Sequence, residues 1–173
     1  MSELIVNRVA QSGIITLNLE EFLPQQPIVV FDLKEFLFRG LILREKDFRL
    51  SMKEHNWEVY SGKQVAITCS ADAIVPKWAY MVVANYLHPI ADGFIFGTEE
   101  TLQTHLMLQS LSKINPEDYS NKRVVIKGCG EKEIPVSAYV EITRLLKPVV
   151  KSLMYGEPCS TVPIYKQKET DSQ

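Results

Sequence analysis

The sequence predicts an α/β protein: a three-layer, doubly wound, mainly parallel sheet built from a duplicated β-α-β unit. Three observations predict it. Sliding the chain against itself by 59 positions superimposes residues 64–97 on residues 123–156. Each of these segments opens with a short β-branched run of the kind that forms a buried strand, and each closes on glycine. Between the two, each carries a proline-led stretch of helical periodicity.

Identities in that alignment fall at Val65 and Val124, Ile67 and Ile126, Pro76 and Pro135, Ala79 and Ala138, Tyr80 and Tyr139, Leu87 and Leu146, Pro89 and Pro148, and Gly97 and Gly156. The first strands are residues 65–68 and 124–127. Pro76 and Pro135 stand at a first helical position, where a missing N–H leaves no hydrogen bond unmade. Ala79, Val83, Tyr86 and Leu87 then share one helical face, and Ala138, Ile142, Leu145 and Leu146 share its counterpart. Pro89 and Pro148 end the helices, because the residue before proline avoids the α region. Second strands follow at residues 94–96 and 151–155.

Between the copies, Thr98 caps a helix whose first turn holds Glu99 and Glu100 and whose apolar face is Met107, Leu111 and Ile114. The resulting β-α-β-α-β-α-β order favours parallel strands with right-handed crossovers. A two-fold axis along the strands would give the core order 2-1-3-4, with the proline-led helices on opposite faces and a ligand-binding switch point between the two central strands. In residues 1–63, the segments 14–19 and 28–32 read as an antiparallel pair added at the sheet edge, and 44–56 as a charged surface helix. Residues 166–173 are polar and expected to fray. No linker interrupts the chain, so residues 1–173 are expected to form a single domain.

The composition, 46% hydrophobic and 23% charged with a formal net charge of −2, argues against a dedicated nucleic-acid or anionic-membrane binder. The N-terminal stretch lacks a basic leader followed by an apolar run, and no apolar run approaches the ~18 residues of a membrane span, so the expected compartment is the cytoplasm. There the three cysteines are expected as thiols or ligands rather than disulfides.

Cys69 ends the first strand, Cys129 lies one residue beyond the third, and Cys159 follows the fourth. In one parallel sheet all three would gather on the carboxyl edge. Three readings stand side by side: inert packing of small apolar side chains, a shared zinc or iron-sulfur site, or thiol and persulfide chemistry favoured by the helix N-termini that follow. Asp72, three residues past Cys69, is the nearest oxygen ligand or proton-transfer group, with Glu131 its counterpart. A metal site would therefore use Cys69, Cys129, Cys159 and Asp72. His55, His88 and His105 share no ligand spacing, and Trp57, Trp78, Tyr80 and Tyr139 read as core anchors. Residues 127–130 place glycines after a strand but match neither dinucleotide- nor phosphate-binding loops.

The stretches FLFRGLILREKDFR, ITCSADAIVPKWAY, VVIKGCGEKEIPVSAYV and LMYGEPCSTVPIYK resemble a small bacterial family, domain of unknown function 2480, over nearly the whole chain. The resemblance implies no reaction and no catalytic residue. It does imply a setting beside iron-sulfur cluster assembly factors. Two functions from different classes lead, and a third, a small-molecule enzyme, would need a closed apolar pocket above the switch point with polar groups converging in it. One is an accessory factor that handles metal, iron-sulfur or persulfide cargo together with a protein partner. The other is a non-catalytic protein-interaction module with structural cysteines. A homodimer through the exposed sheet edge is compatible with both.

Overall fold

The computed structural model of the chain describes residues 13–128, 130, 132–157 and 159–168. Among them lie seven strands: β1 (Ile14–Asn18), β2 (Ile28–Asp32), β3 (Gln64–Thr68), β4 (Gly93–Phe96), β5 (Arg123–Lys127), β6 (Ser152–Glu157) and β7 (Ser160–Lys166). Four α-helices accompany them: α1 (Glu45–Glu54), α2 (Lys77–Leu87), α3 (Glu99–Leu111) and α4 (Val136–Leu146). The α/β class with parallel pairing is as expected. The expected single sheet is not.

The strands form two sheets, one of order β2-β3-β4 and one of order β1-β5-β6-β7. Core order 2-1-3-4 would have made β3 and β5 neighbours. Instead β2 runs parallel beside β3, from Ile28 opposite Gln64 to Asp32 opposite Thr68. Likewise β1 runs parallel beside β5, from Ile14 opposite Arg123 to Asn18 opposite Lys127. The N-terminal strands are therefore a parallel edge to each of two sheets, not an antiparallel pair on one. The reason is local: both strands end in a capped 3-10 turn that carries the chain away instead of into a hairpin. Asn18 Oδ1 accepts the Glu20 N–H at 3.2 Å and Asp32 Oδ1 accepts the Lys34 N–H at 3.0 Å.

The chain divides into two compact units, and one interrupts the other: residues 24–106 form one unit, and the residues up to Leu23 and from Met107 onward form the second. In the unit of residues 24–106, one face of the sheet (Phe31, Val65, Ile67) shares a core with Phe48 and Met52 of α1 and Ala79, Val83 and Leu87 of α2. In the other unit, Leu17, Val124, Ile126 and Leu153 share a core with Met107 and Leu111 of α3 and Ala138, Ile142 and Leu146 of α4. Each fully buried leucine or isoleucine here contributes roughly 1.5–3 kcal/mol of transfer free energy. Each core gathers its helices on one sheet face, so the expected arrangement of two helices on opposite faces of one sheet does not arise.

The bounds of β3 and β5, the bounds of α2 and α4, and the starts of β4 and β6 each lie 59 positions apart. Pro76 (φ −60°, ψ 138°) and Pro135 (φ −58°, ψ 137°) occupy the same N-cap, one residue ahead of the first helical residue. Their carbonyls accept the first-turn N–H groups of Ala79 and Ala138, both at 2.9 Å. The correspondence begins earlier than the alignment above, since NWEVYSGK and NPEDYSNK both form 3-10 turns leading into β3 and β5. In them Gly62 (φ 65°) and Asn121 (φ 58°) fill one left-handed position. Thr98 caps α3 as expected, its Oγ1 accepting the Thr101 N–H at 3.2 Å. The hairpin strand β7 was not foreseen; it pairs antiparallel with β6 and carries Pro163 on the sheet's outer edge.

Candidate functional site

At the carboxyl edge of the three-stranded sheet, the ends of β2 and β3 bring together Asp32, Cys69, Ser70 and Tyr80. Asp32 Oδ1 accepts the Ser70 N–H at 3.0 Å and its Oδ2 accepts the Ser70 hydroxyl at 2.5 Å. Partial burial pushes the Asp32 carboxyl up, but the Ser70 hydroxyl, the Lys34 and Ser70 N–H groups and the Lys34 charge together outweigh it and hold the acid below its ordinary value. The thiol of Cys69 is half-buried one residue past β3, 3.8 Å from the Ala71 carbonyl oxygen. Burial, and to a smaller degree Cys69 and Asp32, raises the Tyr80 phenol. Such an anionic Asp32 is a poor base and serves as a structural acceptor. Asp72 is exposed in the following loop.

The matching edge of the other unit is built from different chemistry. Asn18 stands where Asp32 does, Gly128 where Cys69 does, and the Tyr139 hydroxyl donates to the Gly128 carbonyl at 3.0 Å. Lys127 pairs with Glu157 at 2.9 Å, and one buried Glu20 oxygen beside Gly130 has no hydrogen-bond partner among the described residues.

Below each edge lies an apolar groove between a helix and the end strand of its β-α-β segment. One is lined by Ile67, Tyr80, Ala84, Phe94, Ile95 and Phe96 together with Met81 and has a volume of about 290 Å³. The other is lined by Ile126, Tyr139, Thr143, Leu153, Met154 and Tyr155, with Val136, Ile142 and Ile164, and measures about 320 Å³. The first six residues of each set are equivalent pairs. The aromatic corner is kept too: Tyr80 meets Phe96 edge-on at 5.3 Å, and Tyr139 meets Tyr155 edge-on at 5.7 Å. In the second groove Ile164 of β7 adds a wall, whereas β4 is the edge of its sheet.

The cysteines divide between the units. Cys69 follows β3 in one sheet, while the exposed Cys159 sits in the β6–β7 turn of the other. Cys129 and Glu131 lie outside the described residues. Among the described residues no three His, Cys, Asp or Glu side chains come together as a metal-holding group. His55 packs among Phe31, Phe36, Trp57 and Tyr60, with its Nε2 3.3 Å from the Tyr60 hydroxyl, and burial lowers its pKa. His88 and His105 are exposed on helices or their ends. Also among the described residues, no helix is long and apolar enough to cross a membrane.

A family model described as a protein of unknown function, DUF2480, matches residues 3–167. The chain belongs to the DUF2480 family. No curated protein and no solved structure is similar enough to the chain to match it. In this DUF2480 protein, Tyr80, Trp78 and Tyr139 pack against the two cores as expected, Tyr80 and Tyr139 also lining the grooves, and Trp57 sits in a core, stacked on Phe31 and Tyr86. Sequence reasoning missed the Asp32–Ser70 pair and the grooves. A signal for the first was present: ITLNLEEF and VVFDLKEF align at a shift of 14, placing Asn18 and Asp32 at one strand end.

Proposed function

We propose that this DUF2480 protein is a non-catalytic protein-interaction module made of two copies of one fold, each offering an apolar groove to a partner protein. The observation that carries this reading is the groove built twice from equivalent residues, with large apolar side chains left in water on both rims. Phe96 is 69% exposed and Val136 is 77% exposed. Covering such a side chain contributes up to roughly 1.5–3 kcal/mol, and contiguous exposed apolar surface marks interaction sites.

The test is quantitative co-purification with the tagged full chain from its own cells, comparing wild type with Met81→Glu and with Val136→Glu. Both positions are exposed, so both variants should fold. One protein retained by wild type near stoichiometry and lost from either variant is the expected result. Equal retention by all three chains would defeat the reading.

A second reading, metal or sulfur handling by Cys69, Cys129, Cys159 and Asp72, has one observation in its favour. The half-buried Cys69 thiol lies at the carboxyl edge of its sheet, next in sequence to Ser70, which Asp32 holds. Zinc or iron-sulfur cargo would then survive anaerobic purification, appear in elemental analysis and vanish from Cys→Ser variants. Metal-free protein with ordinary reactivity at each thiol would leave the interaction module alone.

A further inference from the structure

We propose that the turn at residues 38–44, together with Ile74, docks an acidic, apolar peptide segment of a partner protein. It rests on the interaction reading only in taking a protein as partner, and it uses a surface separate from the grooves. The turn is closed by the Phe38 N–H donating to the Ile42 carbonyl at 2.7 Å, and Ile42 in turn bridges to Ile74 in the loop after β3. Leu41, Ile42 and Ile74 are all exposed, Ile74 to 90%. Backbone pairing sets Ile42 and Ile74 side by side, with Leu41 next to Ile42 in the turn.

The charge beside that cluster selects the partner. The guanidiniums of Arg39 and Arg44 lie over the single Phe38 ring, 5.3 and 3.2 Å from its centre. Neither makes an ion pair among the described residues, whose salt bridges are Arg49–Glu45, Lys127–Glu157 and Arg144–Glu141. The ring compensates each cation only weakly. A carboxylate reaching either arginine would gain short, charge-assisted hydrogen bonds in the geometry that guanidinium favours. Moreover Arg39 occupies the left-handed region (φ 53°) directly before Gly40 (φ 71°), a conformation that costs a side chain about 1–3 kcal/mol and fixes where this arginine leaves the turn.

A partner that satisfies both features carries carboxylates next to aliphatic or aromatic side chains. Nucleic acid would match the arginines but leave three aliphatic side chains against phosphate and water. An anionic bilayer would match the arginines and aliphatics, yet exposed Asp72 lies in the Ile74 loop, and exposed Asp47 lies in the first turn of α1. Those carboxylates oppose a broad negative surface, whereas a peptide can meet the two arginines locally.

The experiment is an NMR titration of the isotopically labelled full chain. The probes are a short amphipathic peptide of Glu, Asp, Leu and Phe, its counterpart with Lys in place of the acids, and vesicles of phosphatidylserine and phosphatidylcholine. The acidic peptide is expected to shift the amides of residues 38–44 and of Ile74. Its affinity should fall about tenfold in the Arg39→Gln/Arg44→Gln variant and fall with added salt. Ile74→Ser should weaken it as well, while Met81→Glu and Val136→Glu should leave it unchanged. The lysine peptide should not bind. The proposal is overturned if the acidic peptide shifts none of these amides, if its affinity is the same in the arginine variant, or if only vesicles bind. Should the groove variants still lose their partner in co-purification, that failure belongs to this surface and not to the interaction reading.

Discussion

Replacing Asp32 by alanine removes three accepted hydrogen bonds at once: the Lys34 N–H and Ser70 N–H at 3.0 Å each and the Ser70 hydroxyl at 2.5 Å. A typical hydrogen bond contributes about 1 kcal/mol net, and an N-cap is similar in size. These bonds lie at an exposed edge where water replaces much of what is lost, so the expected cost is about 1–2 kcal/mol. With a urea dependence of about 2 kcal/mol per molar, the unfolding midpoint should drop by roughly 0.5–1 M. Asp32→Asn should cost less, because asparagine already makes the equivalent cap at Asn18. Acid separates the two roles. The folded-state pKa is depressed below the ordinary 3.8, so the carboxylate's contribution is complete above that value and disappears as pH falls through the lower folded value. Wild type should therefore lose stability on that acid side in a step that Asp32→Asn lacks. Urea titrations of the three proteins across that range provide the assay. An Asp32→Ala midpoint equal to wild type, or an Asp32→Asn cost equal to that of alanine, would refute the reasoning.

Further outcomes follow from the same packing. Leu87→Ala and Leu146→Ala each empty a fully buried site in a different core and should cost about 2–5 kcal/mol, with hydrogen exchange rising first in residues 24–106 for the former and in the other unit for the latter. Gly156 has φ 119°, and a Cβ there would stand 2.6 Å from the Ser160 carbonyl oxygen, so Gly156→Ala should cost about 1–3 kcal/mol in thermal unfolding and loosen the β6–β7 hairpin. The depressed pKa of His55 makes stability complete above the ordinary value of 6.5 and lower as pH falls through it, because the unfolded chain takes up the proton first. His55→Phe should flatten that part of the pH profile of unfolding midpoints.

What could be read from sequence was what neighbouring residues decide. The strands opening each segment, the proline-led helices with faces Ala79–Val83–Leu87 and Ala138–Ile142–Leu146, and the Thr98 cap all follow from local periodicity and capping. Strand partnership did not, because it is decided at long range. β1 meets β5 only after the whole unit of residues 24–106 has intervened, and the equivalence of β1 with β2 sits at a shift of 14, where a comparison at 59 cannot see it. Once β2 and β1 occupy the places beside β3 and β5, β3 and β5 belong to two sheets, and Cys69 and Cys159 follow strands of different sheets. β7 was hidden by Pro163, which demotes a strand reading yet is tolerated at an edge. The grooves were invisible for another reason. Tyr80, Phe96, Tyr139 and Tyr155 have core composition, and only the finished packing shows that their rims remain in water.

The account turns on whether both grooves hold a partner. The direct measurement places a photoreactive phenylalanine at Met81 and, in a separate chain, at Val136, irradiates the protein in its own cells, and identifies the cross-linked species by mass spectrometry. The account predicts a defined protein adduct from each position, lost when Phe96→Glu accompanies the Met81 label or Tyr155→Glu the Val136 label. Adducts no more abundant than those from a label at exposed Glu54, and unaffected by the glutamates, would contradict it.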